Sequence, residues 1–164
     1  MPSVLSVHRV YLPCTPLTAG AWLDALGSEH DKIWPSQGWP PMRVAGPLAV
    51  GAVGSHGPVT YHVVDYVPGL RLCFRFLRPV GFRGSHTFEI RPEGDGCIFE
   101  HRVEISTSGW AILGWPLVFG PLHDALARDA GARAQVAAGL VPTGSPWSAY
   151  VRLLRAAARF ATTA

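Results

Sequence analysis

The sequence is poor in charge and in the cysteine patterns that build small structural sites. Of its 164 residues only 15% are charged and 48% are hydrophobic, which excludes an intrinsically disordered chain. Lys32 is the single lysine, and the thirteen arginines are dispersed rather than gathered in a basic stripe, so we expect no nucleic acid partner. Cys14, Cys73 and Cys97 show no CxxC spacing, which argues against a disulfide framework and against a zinc knuckle.

Targeting segments and common catalytic fingerprints are also missing. Residues 1–11 lack a basic stretch followed by a long apolar core, so no signal peptide is expected. The longest apolar run, residues 109–122, is interrupted by glycine and proline and is too short to cross a bilayer. The chain has no GxSxG, no P-loop, no GxGxxG after a strand and no HExxH. We therefore expect a cytoplasmic protein with no integral membrane segment and no cofactor.

Two stretches, residues 82–90 and 97–105, each predict a strand whose apolar face carries one histidine. Because side chains alternate across a strand, His86 shares a face with Phe88, and His101 shares a face with Phe99. A polar group buried on such a face costs free energy unless it finds a partner. Two interpretations stay open: each imidazole binds a local partner and stabilises the sheet, or the imidazoles line a cavity and contact a ligand oxygen.

The N-terminal half predicts one strand, two short helices and the start of an antiparallel meander. Strand 3–11 is followed by a helix over 16–26, which begins at Thr15-Pro16, and by a second helical piece over 28–34. The loop WPSQGWPPM, residues 34–42, is either anchored by its aromatic side chains or a lid at a cavity mouth. Further strands are predicted at residues 43–53, 59–67, 70–77, 82–91 and 97–106.

The C-terminal half predicts two helices. Apolar spacing indicates a helix over about 107–138, kinked or split near Pro116 and Pro121, with Asp124 and Asp129 paired to arginines four residues later on its wet face. A basic amphipathic helix over 145–160 follows, capped by Ser145. We expect that helix to pack either on its own domain or on a second copy of the chain, and the second alternative would be a homodimer through 145–160.

Three segments resemble the helix-grip fold of the START-like, birch-pollen-allergen-like superfamily, also called SRPBCC or polyketide cyclase/dehydrase. They are VTYHVVDYVPGLRLCFRF (59–76), SHTFEIRPEGDGCIFEHRVE (85–104) and GPLHDALARDA (120–130). The resemblance covers about residues 3–139 and implies an α+β fold in which a curved antiparallel sheet of six or more strands wraps a long C-terminal helix. It also implies a pocket for sterols, lipids or polyketides between the two. We divide the chain into a ligand-binding domain, 1–139, and an extension, 140–164.

The candidate site residues are the histidines and aromatic side chains that should face this pocket. His86 and His101 are the candidates for catalysis, since a neutral imidazole suits proton transfer near neutral pH. Three converging histidines could bind a metal such as zinc, but no two have close ligand spacing and no inward carboxylate supports them, so no metal is expected. The predicted ligand contacts are His86, His101, His123, Tyr61, Phe88, Phe99, Trp115, Phe119, Trp34 and Phe74.

Three functions remain open from the sequence. The first is the binding of a hydrophobic small molecule in the cavity, with imidazoles orienting its polar end. The second is an enzyme of the cyclase/aromatase kind, in which a histidine takes a proton beside a carbonyl and Tyr61 or a second histidine donates to the enolate oxygen. The third is a partner-binding role for the C-terminal helix. Asp124 and His56 are expected to be solvated and are discounted as site residues, and the glutamates at 89, 100 and 104 point outward.

Overall fold

The computed structural model describes residues 3–142 and 146–163, and its centre is one antiparallel sheet of seven strands. The strands lie in the order β1-β7-β6-β5-β4-β3-β2, so β2 to β7 form a meander and β1 closes it by pairing with β7. Their bounds are β1 Ser3–Leu12, β2 Arg43–Val44, β3 Val53–His56, β4 Val59–Val67, β5 Arg71–Arg78, β6 Phe82–Glu93 and β7 Gly96–Thr107.

The curved sheet and its long C-terminal helical arm confirm the predicted α+β helix-grip fold. Helix α1 is Pro16–Asp24; the arm consists of α2 Ala111–Gly114, a π-helical turn Trp115–Phe119 and α3 Gly120–Ala137; helix α4 is Ala149–Thr163. The π-helical turn contains Pro116, and Pro121 is the second residue of α3. The kink or split expected at these prolines is therefore a wider helical turn, and the helical arm stays continuous. Within the described ranges, no helix is long and apolar enough to cross a membrane.

The core fills the space between the inner face of the sheet, α1 and α3. On α3, small side chains face the sheet, with Ala125, Ala130 and Ala134 almost fully buried, so the helix backbone can approach closely. On the strands, the apolar faces predicted for β6 and β7 are buried, including Phe88, Ile90, Phe99 and Val103.

Two details of the predicted secondary structure differ in the structure. Residues 28–34 form successive turns, because the Asp31 carboxylate accepts hydrogen bonds from the backbone amides of Ile33 and Trp34 and so competes with helical pairing. Of the strand expected over 43–53, only Arg43–Val44 and the last residue, Val53, where β3 begins, are in the sheet, because Gly46 and Gly51 adopt positive φ angles of 74° and 90° that a strand does not allow.

Helix α4 packs against its own domain. Val151 is 4% exposed, and the Ser148 hydroxyl accepts a hydrogen bond from the Val151 amide at 3.2 Å, as an N-terminal cap does. The predicted cap, Ser145, lies outside the described residues. The division at residue 139 and the homodimer remain predictions.

Candidate functional site

A cavity of about 840 Å³ lies between the inner face of the sheet, the helical arm and α4. Aromatic and aliphatic side chains make most of its wall, and imidazoles, one amide and one guanidinium interrupt it. Its lining residues are Ser36, Gln37, Gly38, Trp39, Pro40, His56, Gly57, Pro58, Val59, Phe76, Phe82, His86, Trp115, Val118, Phe119, Leu122, His123, Leu126, Arg155 and Ala158. The wrapped sheet therefore encloses a void, as the histidine-bearing faces indicated.

His86 and His101 lie at the centre of the sheet and touch each other. The register of β6 and β7 places Phe88 opposite His101 and Val103 opposite His86, so the two histidines are diagonal neighbours on one face. Each is 2% exposed, and their Nε2 atoms are in mutual hydrogen-bond contact. Phe88 stacks on the His101 ring, with centroids 4.6 Å apart. The imidazoles are each other's partner and His86 also borders the cavity, while contact with a ligand oxygen stays a prediction.

His123 on α3 joins this pair from the opposite side of the fold. Its ring centroid lies 4.9 Å from that of His101, and its Nδ1 is 3.4 Å from Asp124 Oδ1. The same carboxylate oxygen contacts His8 Nε2 at 3.1 Å and accepts a hydrogen bond from the Ser6 hydroxyl at 3.0 Å. The expectation that Asp124 is a solvated partner of Arg128 is therefore wrong: it is half-exposed but turned toward β1, whose inward residues supply its partners.

The environment keeps the imidazoles neutral. Burial lowers the pKa of His86 and of His101 well below the ordinary value, and the nearby histidines lower both further, because a second positive charge would be repelled. Burial also lowers the pKa of His123 and outweighs the opposing effect of Asp124. Hydrogen bonds from His123, His8 and Ser6 hold the pKa of Asp124 below its usual range.

The ten predicted contact residues divide into two groups in the structure. Four line the cavity: His86, His123, Trp115 and Phe119. The other six lie in the packed core and are 0–2% exposed: Trp34, Tyr61, Phe74, Phe88, Phe99 and His101. Strand parity predicted correctly that the five of these on strands point inward, whereas Trp34 lies in the loop 34–42. It could not distinguish a side chain at the cavity surface from one behind it, because both lie on the same face.

His56, which was expected in solvent, belongs to the cavity wall. It lies at the end of β3, its ring packs 4.7 Å from that of Trp34, and its Nδ1 is 3.2 Å from the Tyr61 hydroxyl. Burial lowers the pKa of His56 to about 3, and the repulsion that a proton on His56 would meet from a protonated His123 adds to the shift. Burial also raises the pKa of the Tyr61 phenol. The expectation rested on the turn signal Gly57-Pro58, which directly follows His56. A turn signal does not indicate which side chains at the turn are covered by other elements, so the sequence could not show that His56 is covered.

The loop 34–42 and α4 close one side of the cavity through a polar and aromatic cluster. The Arg155 guanidinium lies 4.3 Å from the Trp39 ring centroid and 3.5 Å from that of Trp147, and it donates to the Gly38 carbonyl. Both indoles donate to Asp129 Oδ2, at 2.7 and 2.8 Å. Asp129 is thus engaged here instead of in the expected pair with Arg133, which donates to the Asp31 carbonyl. These residues are far apart in sequence, so no local pattern indicated their contact.

Two groups of side chains have the composition and spacing of metal ligands. In the first, His86, His101 and His123 each place one ligand atom within 4.8 Å of the others. In the second, His8, His123 and Asp124 do the same. The sequence offered no short ligand spacing, because the residues come from β1, β6, β7 and α3, and only the closed fold brings them together.

Comparison with solved structures identifies the fold. Norcoclaurine synthase from Thalictrum flavum matches with a TM-score of 0.63 and 13% identity, over 84% of this chain and 94% of that one. The di-domain ARO/CYC StfQ of the steffimycin biosynthetic pathway matches with a TM-score of 0.61 and 12% identity, over 84% of this chain and 51% of that one. Ara h 8.0201 matches with a TM-score of 0.55 and 11% identity, over 81% and 98% of the two chains.

These structural matches show which fold the chain has. The chain has the helix-grip architecture of birch-pollen-allergen-like and polyketide-cyclase proteins, as its sequence motifs indicated. No family model matches the sequence, and no curated protein matches it either.

Proposed function

We propose that this protein binds a hydrophobic small molecule, of the lipid, sterol or polyketide kind, in the cavity between the sheet and the helical arm. The observation that carries the proposal is the cavity of about 840 Å³, which has a predominantly apolar wall and a few convergent polar groups. Ligand sites of about 300–1,000 Å³ commonly have this composition. The cytoplasmic location expected from the sequence remains part of the proposal.

The wall favours a ligand that is apolar along most of its length and has a polar group at one end. Phe76, Phe82 and Phe119 offer aromatic surface, and burial of apolar area contributes about 25 cal/mol per Å² before the cost of ordering. His86 has Nδ1 free to donate to or accept from a ligand oxygen, because its Nε2 contacts His101, whereas His123 can offer its Nε2 lone pair to a ligand hydroxyl, because its Nδ1 faces Asp124.

The structural neighbours are consistent with this class of ligand. A norcoclaurine synthase structure with a TM-score of 0.61 and 13% identity is a complex with dopamine and hydroxybenzaldehyde, both small aromatic compounds. The likeness is one of fold, so it supports an interior site without indicating which compound this chain takes.

Binding can be tested by displacement of a fluorescent apolar probe from the purified protein with panels of fatty acids, sterols and aromatic polyketides. Leu122→Trp should weaken binding at least tenfold, because Leu122 lines the cavity and an indole would occupy its volume. Leu113→Trp is the matched control, since Leu113 is 67% exposed and lies outside the wall. Equal affinity in both variants, or no binding of any panel member to the wild type, would refute the proposal.

A second candidate function is cyclase/aromatase catalysis, and the His86–His101 contact favours it. With the shared proton on His86 Nε2, His86 could take a proton from the carbon beside a substrate carbonyl at Nδ1 while the Nε2 proton shifts to His101, and the reverse shift would return a proton to the enolate oxygen. Tyr61, the donor expected from the sequence, faces His56 Nδ1 at 3.2 Å and does not line the cavity.

Turnover of a poly-ketone substrate by the wild type, and its loss in His86→Phe with ligand binding retained, would establish the catalytic function. Turnover unchanged in both His86→Phe and His101→Phe would refute it.

A further inference from the structure

The cluster of His86, His101 and His123 contains more nitrogen lone pairs than the surrounding protein can satisfy. Asp124 is an acceptor, so the Nδ1 of His123 that faces it at 3.4 Å carries the proton, and Nε2 of His123 keeps a lone pair. That Nε2 is buried, and no described residue donates a hydrogen bond to it. His86 and His101 do not relieve it, because their two Nε2 atoms face each other and share one proton.

The three rings also lie close enough together to share one ion. One ligand atom from each lies within 4.8 Å of the other two. The nitrogens of a tetrahedral zinc site, with Zn–N bonds of about 2.0–2.1 Å, lie about 3.3–3.4 Å apart. The His86 and His101 nitrogens, now in direct contact, would therefore have to separate, and the ring of His123 would have to approach them, for all three to bind one ion.

The carboxylate contact of His123 is one that metal-bound histidines commonly make in other proteins. Ligating imidazoles commonly donate their second ring nitrogen to a carboxylate, which fixes the tautomer and raises the basicity of the ligand atom. Asp124 occupies that position and is itself held by His8 Nε2 at 3.1 Å and by the Ser6 hydroxyl at 3.0 Å.

From this geometry we propose that His86, His101 and His123 bind one divalent transition-metal ion, of the zinc class, at the inner wall of the cavity. Imidazole nitrogens suit zinc and its neighbours cobalt, nickel and copper better than calcium or magnesium. His86 and His123 border the cavity, so the fourth coordination position faces it and is open to water or to a ligand oxygen. Asp124 is a positioning residue that orients the ring of His123. The proposed metal site does not depend on the cavity holding an organic ligand.

The first test uses the wild-type chain, stripped with a chelator and reloaded with zinc. After removal of free metal, elemental analysis should give one equivalent per chain, and X-ray absorption at the zinc edge should show three imidazole ligands. Reloading with Co²⁺ should give the visible absorption of a four-coordinate ion. No retained metal, or a bound ion with fewer than three imidazoles, would overturn the proposal without requiring any variant to fold.

The second test locates the ion by competition against a coloured zinc chelator. His86→Gln, His101→Gln and His123→Gln should each weaken binding more than about 100-fold, and Asp124→Asn should weaken it about 10–100-fold while one equivalent still binds at saturation. His62→Gln is the control, since His62 lies on β4 outside the cluster. Loss of binding in His8→Gln with full binding in His86→Gln would assign the ion to His8, His123 and Asp124 instead, and so would overturn the three-histidine site.

Discussion

Acid should destabilise this fold sharply, because it must protonate histidines that the folded state keeps neutral. Burial lowers the pKa of both His86 and His101 well below 6.5, whereas in the unfolded chain each imidazole titrates near that value. Between the two pKa values the unfolded state binds more protons than the folded state. The free energy of unfolding therefore rises with pH across this window and falls as the pH drops below about 6.5.

The size of the effect follows from the number of protons. Each histidine that stays neutral in the fold costs about 1.4 kcal/mol of stability per pH unit below 6.5, so His86 and His101 together cost about 2.7 kcal/mol per pH unit. Domains are commonly stable by about 5–15 kcal/mol, so two pH units remove a large part of the total. His123 and His56 add to the slope, since their pKa values are lowered as well.

The assay is urea unfolding of the metal-free protein at a series of pH values from 8 downward, with a chelator present. The double variant His86→Gln, His101→Gln should show a slope of stability against pH that is smaller by about 2.7 kcal/mol per unit, whatever its stability at pH 8. His30→Gln, a substitution at an exposed histidine, controls for the change of side chain. An equal slope in the wild type and the double variant between pH 6 and 5 would refute the reasoning, because it would mean that the pair does not remain neutral.

Two further predictions concern stability away from the cavity. Glu100 is 1% exposed on the outer face, where hydrogen bonds from arginines, including Arg9 Nε at 2.5 Å, outweigh the effect of burial and lower its pKa. Glu100→Gln should therefore cost about 1–3 kcal/mol at pH 7 by chemical denaturation, because the glutamine cannot form ion pairs with the arginines; an unchanged stability at pH 7 would contradict it. A Cβ at Gly20 would lie 2.3 Å from the Gly69 carbonyl oxygen, so Gly20→Ala should lower stability by about 1–3 kcal/mol despite the better helix propensity of alanine. Gly38→Ala is its control, because the nearest atom is an ordinary 3.4 Å away, and equal melting temperatures in the two variants would exclude a clash at Gly20.

The sequence was sufficient to predict the sheet and the direction of its side chains. Alternation alone put His86, Phe88, Phe99 and His101 on inward faces, because the period of two is a local property of any strand. The Pro-Gly and Gly/Asp turn signals also fixed the order of the meander. Where local prediction failed, at residues 28–34, a side chain satisfied the backbone amides and replaced the helix.

Tertiary structure alone decided which inward residues meet. His8 and Ser6 shared a predicted face on β1, but only the pairing of β1 with β7 places His8 beside His101, and only the packing of α3 brings Asp124 to both His8 and Ser6. The same holds for Arg155 between Trp39 and Trp147. Period and propensity act over a few residues, whereas these contacts join positions up to 118 residues apart, so their distances are set by how the elements pack and not by any spacing along the chain.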